Sequence, residues 1–137
     1  MSQMTMTAPQ TQTPQLTFQS GIVGFPEAQR FTLVEGGGEG VFELMSEDEQ
    51  GPSFVVVAPQ PFFPDYAPVI DDVTAERLEI TDAEDALLLL VVTLRENPED
   101  ASANLLAPLV VNHRTHQAAQ VVLTGQQFPL RAPLLSA

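Results

Sequence analysis

The apolar residues of this chain come in short runs punctuated by proline, glycine and clustered acids, and the longest, ALLLLVV at 86–92, is only seven residues. Such a run is far too short to cross a bilayer as a helix and suits a strand. Where a period can be read, it is two. Phe31 and Leu33 alternate with Arg30, Thr32 and Glu35, and Phe42 and Leu44 share one face of residues 41–45. GGGEG at 36–40 lies between these two stretches and reads as the loop of a hairpin.

The same reading continues along the chain. Residues 1–14 (MSQMTMTAPQTQTP) show no periodicity and predict a disordered tail, leaving residues 15–137 as a single domain. SEDEQGP at 46–52 is a turn, and the β-branched run at 54–58 predicts a buried strand. PQPFFPDYAP at 59–68 sets four prolines among three aromatics, so no regular ladder survives there, and an ordered loop or kinked strand is expected. Residues 71–80 predict the one short helix, capped by Asp72 or Thr74, and Thr81 with Glu84 has capping-box spacing for a further turn. Residues 87–94 predict a central strand, and ENPED at 96–100 a turn. Residues 102–112 and 117–124 predict two antiparallel strands joined at His113–His116, with Pro108 marking a bulge or an edge. The fold expected is mainly β: an antiparallel barrel-like or sandwich domain of about seven or eight short strands with one short helix.

Charge and composition exclude several functions. There is no cysteine, so thiol catalysis and cysteine metal sites are out, and nothing argues for an oxidising compartment. The N-terminus lacks the basic and apolar stretches of a secretory signal, which makes a cytoplasmic protein the expectation. Eighteen acids face five arginines and no lysine, for a net charge of −13. All eighteen acids lie between Glu27 and Asp100, a stretch that carries three of the arginines and so sums to −15. Such a field repels phosphates and bilayer surfaces and speeds encounter with basic proteins, although acid-rich loops also serve solubility alone. Direct nucleic-acid or membrane binding is therefore not expected.

Each candidate for chemistry has a plainer reading. GGGEG lacks the lysine of a phosphate loop and carries a carboxylate, so it reads as a flexible turn. His113 and His116 are spaced as some zinc ligands are, yet they share one turn without a cysteine partner, so no metal or other cofactor is expected. The clusters Glu47–Glu49, Asp71–Asp72 and Asp82–Asp85 have no calcium-loop spacing and read as solvated turns. No Gly-x-Ser-x-Gly occurs, lysine is absent, and a non-enzymatic role without a small-molecule substrate follows. Phe62, Phe63 and Tyr66 are the best surface candidates: either they plug a barrel end, or some form an exposed patch that anchors a partner.

Three stretches taken together resemble the FliW family of flagellar assembly factors. GIVGFPEAQRFTLVE (21–35) is similar to the family's Gly-x-x-Gly-Phe-Pro-Glu segment and following Arg-Phe strand. FVVVAPQPFFPDYAPVI (54–70) contains its Phe-Phe-Pro-Asp-Tyr signature. VTLRENPEDASANLLAPLVVN (92–112), then QAAQVVL and FPLRAPL, is similar to its Ala-Asn-Leu-x-Ala-Pro block and C-terminal end. The likeness spans about residues 16–135 and departs from the family twice. The family's opening strand and Gly-Glu turn are replaced by TMTAPQTQTPQ, and its basic turn after Asn112 by His113-Arg114-Thr115-His116.

The resemblance implies a partner-switching regulator that binds flagellin in the cytoplasm. When flagellin is exported, the freed factor binds the translational regulator CsrA and displaces it allosterically from flagellin mRNA. The motif residues that become partner-binding candidates are Phe62, Phe63, Asp65, Tyr66, Asn104, Leu105 and Pro108, although Asn104 and Asn112 also suit the satisfaction of backbone groups beside Pro108. The rival expectation is a small β-barrel enzyme or carbohydrate-binding domain whose cleft uses Asp65, Tyr66 and a second carboxylate.

Overall fold

The computed structural model describes residues 15–18, 22, 29–36, 40–47, 51–93, 101–123 and 125–134. Its strands are β1 (Gln15–Phe18), β2 (Arg30–Glu35), β3 (Val41–Ser46), β4 (Ser53–Val57), β5 (Ala86–Thr93), β6 (Ser102–Ala103), β7 (Leu109–Asn112), β8 (Gln117–Gln120) and β9 (Ala132–Pro133). The helix α1 is Asp72–Arg77, and a 3-10 turn, Ala83–Asp85, precedes β5. The expected tail at 1–14, the centre of the Gly-rich loop and the ENPED turn lie outside the described residues.

The strands run in the order β4-β3-β2-β1-β8-β7-β5, and β5 pairs back onto β4, so seven strands close a barrel. A closed ring with an odd number of strands cannot alternate direction all the way round. One neighbouring pair must be parallel, and here it is β1 with β8, in register Thr17 to Gln117. The expectation of an antiparallel barrel holds for every other pairing and fails at this one. Among the described residues nine strands form where about seven or eight were expected, because the segment expected at 102–112 is split into β6 and β7 and a two-residue β9 is added.

The period-two pattern sorts the side chains onto two faces. Leu16, Phe18, Phe31, Leu33, Leu44, Val56, Leu89, Leu109, Val111 and Ala118 fill the barrel, joined by Ile22. Phe18 meets Phe31 edge to face at 5.5 Å, and Phe31 meets Phe54 at 6.0 Å. The alternate positions of β4 and β5 (Val55, Val57, Leu90 and Val92) point outward and build a second cluster with Ala101, Ala103, Leu105 and Ala132. Phe62, Phe63, Tyr66, Phe128 and Leu134 cover it. Of the two readings open for the aromatics, the plug at a barrel end is corrected: they roof the outer wall, because β5 is apolar on both faces and needs cover outside as well as inside. β4 is less buried than expected, since only Val56 and Val57 are inaccessible.

The break at Pro108 is a large bulge. Val92 faces Ala103 and Leu89 faces Leu109, so three steps along β5 correspond to six along β6 and β7. The three extra residues loop out, and the Asn104 carboxamide oxygen accepts from the Leu106 and Ala107 amides, each at 3.0 Å. This satisfies donors that the interrupted ladder would otherwise orphan.

The helix is capped by Asp71 and not by Asp72 or Thr74. The Asp71 carboxylate accepts from the Thr74 amide at 2.8 Å, and hydrogen bonds from the Thr74 side chain and then its backbone hold the Asp71 pKa below the ordinary value. At the other end Glu79 takes φ 57°, and the Ile80 amide returns to Ala75 O. Asn112, fully buried at the end of β7, holds this helix end to the barrel. Its amide donates to Leu78 O (2.8 Å) and Glu79 O (3.2 Å), while its oxygen accepts from the Arg114 and Thr115 amides. Arg114 also meets Asp85 at 3.0 Å.

Asn112→Ala leaves two carbonyls and two amides without their partner and is expected to lower stability by about 2–4 kcal/mol. Urea unfolding monitored by far-UV circular dichroism measures this, and a loss below about 0.5 kcal/mol would show that water replaces the side chain there.

Candidate functional site

The loop after β4 is stiffened by Pro59, Pro61, Pro64 and Pro68, which fix φ and withhold four amide donors. The turns that remain are made by what is left. The Phe62 and Phe63 amides donate to Pro59 O at 3.1 and 2.6 Å, and the Tyr66 amide donates to Phe63 O at 3.0 Å. Gly40, at φ 76°, lets the hairpin end pass beneath this loop; a Cβ there would meet Pro61 Cγ at 2.9 Å.

Tyr66 ties three distant segments together. Its hydroxyl donates to Leu105 O at 2.6 Å, and its ring meets Phe128 edge to face with centroids 5.0 Å apart. The Leu105 amide in turn donates to Pro129 O at 3.0 Å. Beyond Phe128 the Gln126 carboxamide brackets the Val69 backbone, accepting from its amide at 3.0 Å and donating to its carbonyl at 2.9 Å. Burial of the neutral phenol pushes the Tyr66 pKa up to about 12.

The result is a shallow groove of about 370 Å³ lined by Phe62, Phe63, Pro64, Asp65, Tyr66, Leu105 and Phe128. Five of the seven candidates from the sequence therefore meet in one surface: Phe62, Phe63, Asp65, Tyr66 and Leu105. Asn104 and Pro108 do not line it. Asn104 supports the bulge from behind, and the carbonyl of buried Pro108 accepts from the Val121 amide. Phe128 was missed, although FPLRAPL had stood out as a motif; its approach to Tyr66 depends on a contact across sixty-two positions that no local pattern carries. Asp65 is exposed at the rim and is the one carboxylate in the lining. The cleft expected by the rival reading needs a second carboxylate converging on Asp65 and a free tyrosine hydroxyl, and this groove offers neither.

A sequence model of the FliW protein family matches residues 2–134. The flagellar assembly factor FliW of Syntrophus aciditrophicus (strain SB) is 39% identical over 116 residues, covering 84% of this chain and 73% of that one. The flagellar assembly factor FliW of Bacillus subtilis (strain 168) is 35% identical over 120 residues, covering 87% of this chain and 84% of that one. A crystal structure of the flagellar assembly factor FliW superposes with a TM-score of 0.84 at 32% identity, covering 90% of this chain and 86% of its own.

Tyr66 is the sole tyrosine and there is no tryptophan, so absorbance at 295 nm follows its ionisation alone. The titration midpoint is expected near 12, not near the ordinary 10.0. Because the folded value is raised, the stability contributed by the buried phenol is complete below pH 10.0 and is lost as pH climbs toward about 12. A midpoint at the ordinary value would show that the Tyr66 phenol is not held buried in solution. Tyr66→Phe keeps the ring and removes the bond to Leu105 O, with an expected loss of about 1–2 kcal/mol.

Proposed function

This chain belongs to the FliW family, and from that premise we propose that it is a cytoplasmic flagellar assembly factor that alternates between two protein partners. One is flagellin, held until export. The other is the translational regulator CsrA, bound when flagellin is gone and shifted to a state with low affinity for flagellin mRNA.

The observation that carries this reading is the junction of Tyr66 with Leu105. It brings FFPDY and ANLLAPLVVN, the two most specific motifs of the resemblance, into one apolar surface. A shallow groove of phenylalanines with a polar rim suits a protein segment better than a small molecule. For flagellin we infer an amphipathic helix laying its apolar face across Phe62, Phe63 and Phe128, since burial of apolar anchors outweighs rim charges. For CsrA the argument is electrostatic. An RNA-binding protein must carry basic surface, and the net charge of −13 attracts it at long range.

Binding of the host's purified flagellin, measured by titration calorimetry, tests the first half. Phe63→Ala and Phe128→Ala are each expected to weaken it about tenfold or more, with little change between low and moderate salt. Unaltered affinity in both variants, or loss of binding on modest salt addition, would place the flagellin contact elsewhere.

The second half predicts that association with the host's CsrA slows as ionic strength rises. It also predicts that RNA weakens this binding by the same factor by which this protein weakens RNA binding, with a ternary complex at high concentration. Apparent affinity falling without limit as RNA is added would replace the allosteric mechanism with simple occupation of the RNA site.

A further inference from the structure

A second groove, of about 450 Å³, lies on the other side of the proline loop, between Ala58–Pro61 and Ala86–Leu88. Its floor is an interrupted ladder. The Asn104 amide donates to Val91 O and the His113 amide to Asp85 O, so the odd-numbered backbone groups of β5 face β6 and β7. The even-numbered groups, Ala86, Leu88, Leu90 and Val92, therefore face β4. The β4 register pairs Val55 with Val92 and Val57 with Leu90, and two more steps would set residue 59 opposite Leu88 and residue 61 opposite Ala86. Both are proline. Neither can donate, and the Pro59 carbonyl is already taken by the Phe62 and Phe63 amides.

The ladder stops at Leu90, and among the described residues nothing meets the Leu88 N–H, the Leu88 C=O or the Ala86 C=O on that edge. Leu87 beside them is exposed. We propose that this edge of β5 is a strand-addition site that takes an extended, proline-free segment of a protein partner. The segment would exchange two hydrogen bonds with Leu88 and give one to Ala86, in the place that β4 vacates. Its charge is set by the neighbourhood. Asp82 and Glu84 are exposed just before Ala86 and form no ion pair among the described residues, so the segment carries lysine or arginine at that end. The inference rests on the reading of this chain as a protein-binding factor and assigns it a second surface, apart from the aromatic groove.

Amide hydrogen exchange of the full chain by NMR tests it, with a lysine-flanked Val-Thr repeat heptapeptide as the probe and the same peptide carrying prolines as its control. In the free protein the Leu88 amide should exchange far faster than those of Leu87 and Leu89, which face β7. Up to about 1 mM of the repeat peptide should slow it saturably, and the proline control should not. Leu88→Pro removes the open-edge N–H without taking a donor from the β5–β7 ladder and should abolish peptide binding, whereas Leu88→Ala, which keeps that N–H, should bind within about threefold of the parent.

A protected Leu88 amide in the free monomer, equal binding by the two variants, or no saturable effect of the peptide would each overturn the inference. Protection that appears only with protein concentration would assign the edge to a second copy of this chain and overturn the partner. Flagellin binding measured alongside separates the readings. If flagellin binds while the peptide does not, the edge inference alone fails; if the peptide binds while flagellin does not, the assembly-factor reading alone fails.

Discussion

β5 is apolar on both of its faces, and most of the molecule can be traced to that constraint. A strand in the wall of a barrel normally shows one face to the interior and the other to water. Here Leu89 and Val91 point into the barrel while Leu90 and Val92 point out of it, and the outward pair must still be removed from water. Among the described residues no helix is placed to do this, since α1 contributes only Leu78, at its C-cap, to the buried residues. The cover is made instead from the loop after β4, the bulge between β6 and β7, and the segment ending in β9. These three pieces meet over β5, and their meeting line is the aromatic groove. The candidate site is thus the seam of the roof that β5 requires.

Irregular backbone over a sheet is costly unless its polar groups are satisfied, and two asparagines carry much of that task. Asn104 caps the amides released by the bulge, and Asn112 bridges the end of α1 to the 113–116 turn. Tyr66 adds a third such anchor through Leu105 O. A short polar side chain that reaches two backbone groups lets a small domain keep loops of defined shape without disulfides. The binding surface proposed here consists of such loops, so its shape depends on these few bonds.

Proline works in two directions in the same loop. At Pro59 and Pro61 it ends the β4–β5 ladder, which frees the chain to turn across the outer wall and bring Phe62, Phe63 and Tyr66 to their cluster. By the same absence of donors it leaves part of β5 unpaired among the described residues. One chemical feature therefore creates both the aromatic groove and the open edge, on opposite sides of a loop of a few residues.

What the sequence by itself determined is whatever depends on neighbours in the chain. Period-two alternation gave β2 its observed limits and β3 to within a residue, the apolar run placed β5, Pro108 marked the bulge, and motif order pointed to the family. The aromatic residues at 62, 63 and 66 were legible as a surface because prolines on both sides deny them a ladder. What only the tertiary structure decided is whatever depends on closure. The parallel β1–β8 pair follows from an odd number of strands, which cannot be counted reliably when one strand is split by a bulge. The aromatics roof the outer wall because β5 is buried on both faces, and a run of unbroken apolar residues does not say which face has which neighbour. Phe128 joins Tyr66, and Asn112 joins Leu78, across separations at which no local preference operates. The open edge likewise needs the β4–β5 register before Pro59 and Pro61 can be seen to fall opposite Leu88 and Ala86, because a missing donor has meaning only against the strand it fails to meet.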